Sequence, residues 1–319
     1  MKRTSGPWAV LLAGVVLGVG VVGPVRAGAQ SGAYKSGVEL VPLTVTVTDP
    51  AGHYVPDLTG ADFAVFEEGK RQVISHFAAG HVPVDLGILL DTSSSMQNTL
   101  AVAQKAGAGL VQRLSEGDRA AVIGIASTVL FHQTMTPDLT RVDAALRATR
   151  ANGATALYDA VYIALRQHQQ DRLRSSDVRR RVIVLLSDGI DTSSHVTFDE
   201  VLALLRQVDV TVYVVSLAAD PTLPQVVSVD RRTFESAHAL SSLARESGGR
   251  LFTARGAHEL PAIYDAIGQE LGNQYVIGYV PSEPAADGKF RHISVGVLQP
   301  RAGLARTRAG YYAGRLRAR

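Results

Sequence analysis

The stretch LGILLDTSSSM, residues 86–96, places an aspartate and three consecutive serine-type hydroxyls directly behind an apolar run. A run that is apolar at successive positions is typical of a strand covered on both faces, as in a parallel sheet. Asp and Ser are also common at helix starts, because their side chains cap free N–H groups. The stretch therefore has two interpretations: a turn that begins a helix, or an oxygen-rich metal site at the mouth of a buried strand.

Three more apolar runs follow the first one along the chain: AAVIGIAS (120–127), RVIVLLSD (181–188) and VTVYVVSL (210–217). Segments with helical spacing of apolar residues lie between and behind them, at residues 100–114, 157–165, 201–208, about 234–247 and 258–271. The third of these segments follows a predicted capping box, Thr197-x-x-Glu200. Such alternation predicts an open, mostly parallel α/β sheet with helices on both faces.

Both flanks of this region have the alternating pattern of antiparallel strands. On the amino-terminal side, ELVPLTVTVT (39–48) precedes DFAVFEEGKRQVISHF (62–77), which predicts a hairpin around Glu-Gly-Lys. Three short runs follow Asn273: QYVIGYVP (274–281), FRHISVGVL (290–298) and ARTRAGYYAG (305–314). Because about four strands are too few for a core of their own, we expect both flanks to pair in one small β-sandwich.

These patterns predict five segments along the chain. They are an export signal (1–29), an amino-terminal β unit (30–82), the α/β domain (83–272), carboxy-terminal strands that pair with the amino-terminal unit (273–314) and a basic tail (315–319).

The export signal is predicted from three features of residues 1–29. Lys2 and Arg3 are followed by an apolar segment at 8–25 and then by the small-x-small pattern of Ala27 and Ala29. We expect cleavage after Ala29, or else after Ala27, and no membrane span thereafter. The protein would then be periplasmic or secreted; an uncleaved membrane anchor is the alternative.

The net charge of the mature chain and the absence of cysteine argue against several classes of function. The predicted signal carries three basic residues and no acid, so the mature chain would hold 32 − 3 = 29 basic residues against 29 acidic ones. A net charge near zero does not favour a nucleic-acid partner. The chain has no cysteine, which removes disulfides, thiolate ligands and thiol nucleophiles.

Oxygen-bearing side chains follow two of the predicted strands and precede one helix. Asp91 and Asp188 lie where strands end, and Thr155 in NGATALYDAV comes just before a helix. Ligands of open α/β sheets bind beyond the carboxyl ends of the strands. Carboxylates and hydroxyls at that edge suit Mg²⁺ or Mn²⁺, with one coordination position left for an outside ligand, ideally a carboxylate.

These three segments resemble the metal-ion-dependent adhesion site of von Willebrand factor type A domains, a family with a Rossmann-like sheet. DTSSSM resembles its DxSxS motif, and the Thr of GATALYDAV and the Asp of LLSDG follow in the family's order. The resemblance covers about residues 83–272. It implies five metal-site residues: Asp91, Ser93, Ser95, Thr155 and Asp188. The hydroxyls would bind Mg²⁺ (or Mn²⁺ or Ca²⁺) directly, and the aspartates would supply charge, one or both through water.

The flanking sequences are similar to an exported bacterial group known as the VWFA-related acidobacterial type. That similarity bears on the architecture, whereas the resemblance to von Willebrand factor type A domains implies a cation-dependent protein-binding module, not an enzyme, whose protein partner presents Asp or Glu. A metal-dependent hydrolase or phosphotransferase is one alternative, although Ser93 stands where a haloacid-type nucleophile motif has its second Asp. No G-x-S-x-G motif or glycine-rich phosphate loop occurs. A structural envelope protein with a vestigial site is the other alternative.

Four residues near the motifs are interpreted as structural: Ser94 as a helix-start residue, Met96 and Tyr158 as packing, and Asp191 as a turn residue outside the ligand set. The long segment 218–233 follows a strand on the same edge. We expect it to shape the partner surface; an insertion without a role is the alternative.

Overall fold

The computed structural model describes residues 40–174, 177–217, 231–283, 287–299 and 302–313, with side chains of the helix that begins at Arg231 described from Glu235 on. The predicted export signal at 1–29, the tail at 315–319 and residues 218–230 of the long loop lie outside these ranges. Among the described helices, none has the length and apolar character needed to cross a bilayer.

The strands, in chain order, are β1 (Val41–Thr48), β2 (Phe63–Glu67), β3 (Lys70–Gln72), β4 (Ile74–Ala78), β5 (Val84–Asp91), β6 (Arg119–Ile125), β7 (Val129–Thr136), β8 (Arg180–Ser187), β9 (Thr211–Leu217), β10 (Leu251–Ala254), β11 (Gln274–Tyr279), β12 (Phe290–Val297), β13 (Leu304–Arg306) and β14 (Gly310–Tyr312). The helices are α1 (Leu100–Val111), α2 (Leu139–Ala148), α3 (Leu157–Arg174), α4 (Phe198–Leu205), α5 (Arg231–Ser247) and α6 (Leu260–Gly272).

A six-stranded sheet in the order β10-β9-β8-β5-β6-β7 forms the centre of the molecule. All neighbouring strands in it are parallel except β6 and β7. Every residue of β5 and β8 is buried, because helices cover both faces of the sheet. The continuous apolar runs of the sequence are thereby explained, and the predicted fold class is confirmed.

The two faces of the central sheet divide the helices into two sets. Leu86, Ile88 and Leu90 of β5 pack in one core with α1, α2 and α6. Leu89 lies on the opposite face, in a second core with α3, α4 and α5. The strand's alternation of side chains between faces thus gives each helix layer its own core.

Local signals set several helix ends. The capping box before α4 is confirmed: Thr197 N donates to Glu200 Oε2 at 2.8 Å, and Glu200 N donates to Thr197 Oγ1 at 3.3 Å. Helix α2 and strand β7 were not predicted. Asp138 caps α2 by accepting from Thr140 N and Arg141 N. Strand β7 is an antiparallel edge strand with exposed Leu130 and Phe131, so its pattern is not that of a buried strand.

The flanking strands form two four-stranded antiparallel sheets, β13-β1-β11-β4 and β14-β12-β2-β3. Each sheet mixes strands from both ends of the described chain: β1 pairs with β11 and β13, and β2 pairs with β12. Side chains from both sheets, such as Leu43, Val65 and Ile277, share one core. The flanks and the α/β layer belong to one compact unit, Val38–Arg319; boundaries at 83 and 272 stay a prediction.

His168 of α3 is a buried titratable group in the second helix layer. It is 2% exposed, and its Nδ1 has no hydrogen-bond partner among the described residues. A Cβ at Gly87 of β5 would lie 3.3 Å from His168 Nε2, so glycine leaves room for the ring. Burial lowers the pKa of His168 from 6.5 to about 4, because the apolar surroundings disfavour the imidazolium.

We expect this histidine to make the protein sensitive to mild acid. A folded-state pKa below the unfolded one means that stability is complete above about pH 6.5 and is lost as the pH falls toward 4. The shift corresponds to about 3 kcal/mol. Urea unfolding between about pH 7 and pH 4.5 should show this loss in the wild type and much less of it in His168→Leu. The exposed His238→Leu is the control; equal pH dependence in all three proteins would contradict the assignment.

Candidate metal site

Strands β5 and β8 are parallel neighbours, with Leu90 opposite Leu186 at their carboxyl ends. The chain therefore leaves the sheet at two adjacent points: Asp91 is the last residue of β5, and Asp188 directly follows β8. The sheet register, not sequence proximity, brings the two aspartates to the same edge.

The Asp91 carboxylate is fully buried. Its Oδ1 accepts from Ser93 N at 2.9 Å, and its Oδ2 accepts from Ser187 Oγ at 2.7 Å. Both donors are uncharged, so the described contacts do not neutralise the carboxylate. Burial raises the pKa of the Asp91 carboxyl above its ordinary value, the two serine donors oppose the rise, and the charge of Asp188 adds to it.

A continuous chain of side-chain contacts runs from the buried strand end to the surface. Ser93 Oγ lies 2.9 Å from Ser95 Oγ, and Ser95 Oγ donates to Asp188 Oδ2 at 2.7 Å. Ser93 is buried while Ser95 is exposed, so the chain opens to solvent at Ser95.

Thr155 is held beside this chain by backbone contacts. Its N donates to Thr192 Oγ1 at 2.9 Å, and its carbonyl oxygen accepts from Thr192 N at 2.9 Å. The loop before Thr155 is also bonded to the serine segment: Ser94 N donates to the Gly153 carbonyl at 3.0 Å. The structure thus joins Ser93, Ser95 and Asp188 through side chains and Asp91 to Ser93 through the Ser93 backbone N, whereas Thr155 is connected to them through its loop backbone.

This donor set fits a hard divalent cation. It consists of two carboxylates and neutral hydroxyls, which are the oxygen ligands that Mg²⁺, Mn²⁺ and Ca²⁺ prefer. Within the described ranges, no group of three or more His, Cys, Asp or Glu side chains is arranged to hold a metal. Any cation at Asp91 would therefore depend on serine and threonine hydroxyls for part of its coordination.

The structural interpretation of Asp191 agrees with its position. Its Oδ1 accepts from Leu157 N at 2.8 Å, from Tyr158 N at 3.3 Å and from Ser194 Oγ at 2.6 Å. Asp191 therefore caps the first turn of α3 from a loop more than thirty residues away in sequence. The same contacts fix the position of that helix beside Thr155.

The neighbouring residues also behave as structural ones. Ser94 is exposed and opens a short 3-10 turn, Ser94–Met96. Met96 is 1% exposed and packs in the core with α1. The Tyr158 ring is half-buried against Phe198, with 5.8 Å between ring centroids.

Sequence reasoning missed Ser187. Its hydroxyl donates to Asp91 and accepts from Gly189 N at 3.0 Å, so it links the two strand ends. The signal was a hydroxyl residue at the last position of an otherwise apolar run, RVIVLLS. A polar residue buried in such a place requires a partner, and the adjacent strand end supplies one.

Comparisons with known proteins agree with this fold. Residues 86–190 match the family model described as von Willebrand factor type A domain. This segment runs from β5 to the loop after β8 and contains all five predicted metal-site residues. No curated protein matches the sequence.

Several solved structures are similar at low identity. BatB from Bacteroides thetaiotaomicron is 20% identical over 59% of this chain and 97% of its own, with a TM-score of 0.46. The vWF domain of the type V pili tip protein Mfa5 from Porphyromonas gingivalis is 17% identical over 60% of this chain and 95% of its own, with a TM-score of 0.45.

Proximal thread matrix protein 1 from the mussel byssus, with a zinc-occupied MIDAS motif, is 16% identical over 65% of this chain and 50% of its own, with a TM-score of 0.49. At these identities and scores, none of the three likenesses carries information on function. The family match at residues 86–190 stands without them, and this segment of the chain is therefore identified as a von Willebrand factor type A domain.

Proposed function

We propose that this chain is an exported protein-binding module of the adhesion type. A divalent cation would be held by five residues: Asp91, Ser93, Ser95, Thr155 and Asp188. An Asp or Glu side chain of a protein partner would complete the coordination. The observation that supports this most is the contact chain from buried Asp91 through Ser93 and Ser95 to Asp188, which ends at the protein surface.

Charge supports a cation at this position. Asp91 is fully buried, and both of its hydrogen-bond donors are uncharged. An ionised carboxylate in such surroundings is costly unless an opposite charge is close. A divalent cation supplies that charge. Asp91 and Asp188 together carry two negative charges, so the ion would keep positive charge for an outside carboxylate where one or both aspartates act through water and the direct ligands are neutral hydroxyls.

The rim of the site supports recognition through the ion. The exposed residues between β5 and α1 are Ser94, Ser95, Gln97 and Asn98, and none of them is charged. An acidic partner would therefore meet no like charge in this loop, and the attractive charge would be the ion itself. Neutral polar side chains around the ion are suited to hydrogen bonding with the partner's backbone.

The first prediction concerns the cation alone. We expect the mature protein to bind Mg²⁺ or Mn²⁺ in a calorimetric titration, and Asp91→Asn to bind at least about tenfold more weakly. Asparagine keeps the shape of the side chain but lacks its charge, and its amide nitrogen takes the place of one of the two accepting oxygens. Asp199→Asn, at an exposed position of α4, should bind like the wild type. No binding by the wild type at millimolar concentration would refute the cation site.

The second prediction concerns the partner. Capture of an envelope protein by the immobilised wild type should be lost on chelation, restored by Mg²⁺ and absent in Asp91→Asn. Capture that resists the chelator, in a protein that does bind the cation, would instead favour the structural envelope role. Hydrolysis of a phosphoester panel by the wild type and not by Asp91→Asn would favour the metal-dependent enzyme.

The third prediction tests whether the loop that carries Thr155 positions the site. Gly153 has φ +79°, and a Cβ there would lie 2.5 Å from Ser127 Oγ, the group that accepts from Ala154 N. Gly153→Ala should therefore displace the loop, lower stability by about 1 kcal/mol or more and weaken cation binding.

Helix α1 offers a matched control for this substitution. A methyl group at Gly109 would meet no atom within 4 Å beyond the adjacent backbone of its own helix. Gly109→Ala should therefore raise stability by about 0.5–1 kcal/mol and leave cation binding unchanged. Equal cation affinity in Gly153→Ala and Gly109→Ala would show that the loop does not position the site.

A further inference from the structure

A cavity of about 280 Å³ lies where the residues before β8 meet the outer face of the sheet β13-β1-β11-β4. Because β8 runs parallel to β5, this is the opposite end of the central sheet from Asp91. The cavity is therefore separate from the candidate metal site and does not depend on the proposed function.

One wall of the cavity is largely apolar. Along β1 and β11, Leu43 and Ile277 point into the sandwich core, so Pro42, Thr44 and Val276, their neighbours in sequence, face the other way. These three residues line the cavity. They present a surface of methyl and ring carbons with one hydroxyl.

The facing wall is basic. Arg172, at the end of α3, and the consecutive residues Arg179, Arg180 and Arg181 all line the cavity, against two acids, Asp177 and Asp209. Four guanidinium groups and two carboxylates leave an excess of positive charge around this space.

Two of these arginines are fully engaged in holding the structure. Arg179 Nε donates to Asp85 Oδ1 at 2.6 Å. Arg180 is buried and donates to the carbonyl oxygens of Val82 and Leu271, at 3.0 and 2.6 Å, and to Gln274 Oε1 at 2.9 Å. Arg179 therefore holds the start of β8 against β5, and Arg180 joins the central sheet to α6 and β11.

Arg181 differs from both. It is 9% exposed, and its Nε has no hydrogen-bond partner among the described residues. Its guanidinium makes one long contact, from Nη1 to the Arg179 carbonyl at 3.4 Å. Asp209 is near enough to favour the charged form of Arg181, but its ion pair within 4 Å is with Arg308, at 3.9 Å. A buried guanidinium with so few acceptors is costly.

We propose that this cavity binds a small amphipathic carboxylate. The carboxylate would accept hydrogen bonds from Arg181, whose planar donors suit a two-oxygen acceptor. The apolar body of the ligand would lie on Pro42, Thr44 and Val276. The volume is near the lower end of the range for small-molecule sites, about 300 Å³, so the occupant is a small molecule.

The test uses the full mature chain and octanoate as the probe, in calorimetric titrations with chelator present so that no cation contributes. Octanoate should bind, whereas acetate, octan-1-ol and inorganic phosphate, which each lack one half of the recognised chemistry, should bind at least about tenfold more weakly. Equal binding of acetate or phosphate would overturn the amphipathic ligand, and equal binding of octan-1-ol would overturn the role of the charge.

Two variants test the two walls. Arg181→Met removes the guanidinium but keeps the volume, and it should weaken octanoate binding at least about tenfold without loss of thermal stability, because the buried charge is poorly paired. Thr44→Phe fills the cavity from the side of β1 and should abolish octanoate binding. It tests the proposal independently, in case Arg181→Met does not fold. Arg141→Met, at an exposed position of α2, should bind like the wild type. Unchanged octanoate affinity in Thr44→Phe, or in a folded Arg181→Met, would overturn the proposal.

Discussion

The Asp91 carboxylate is buried at the end of β5 and shares its hydrogen bonds between its own loop, through Ser93 N, and the neighbouring strand, through Ser187 Oγ. A buried anion tolerates little displacement, since each lost donor leaves an oxygen without a partner. A shift in the parallel register of β5 and β8 would therefore remove the hydrogen bond from Ser187 to Asp91. The same register sets where the serine loop and Asp188 stand relative to one another.

Much of the central sheet could be predicted because a strand that is buried on both faces requires a run of apolar residues, which is visible in the sequence. Strands β5, β8 and β9 each contain an unbroken run of four or more aliphatic, aromatic or glycine residues, and the box before α4 is a purely local signal. Strand β7 has only a short apolar run at its start. It lies at an edge, its apolar residues Leu130 and Phe131 are exposed, and its pairing with β6 includes two register shifts, so tertiary contacts rather than an alternating pattern determine it.

The candidate site was predictable to a similar, limited degree. The resemblance to the adhesion-site motifs pointed to Asp91, Ser93, Ser95 and Asp188, which lie along one series of contacts that begins at the Ser93 backbone N. The roles of Ser187 and Asp191 were not predictable, because each depends on a partner brought close by the fold. Ser187 reaches Asp91 across the sheet, and Asp191 reaches the start of α3 from another loop. Spacing along the chain contains no information about such pairs.

The pairing of β1 with β11 has a mechanical consequence. Val41 stands opposite Tyr279, and the ladder continues to Thr46 opposite Gln274. The α/β layer is therefore inserted between two strands that are hydrogen-bonded to each other. Tension applied between the first strand and the last ones passes across this ladder and bypasses the longer covalent path through the central sheet. Val41 and Tyr279 lie at the same end of this antiparallel ladder, so tension between them opens it pair by pair from that end, and the strand ends that carry Asp91 and Asp188 bear no load until it has opened.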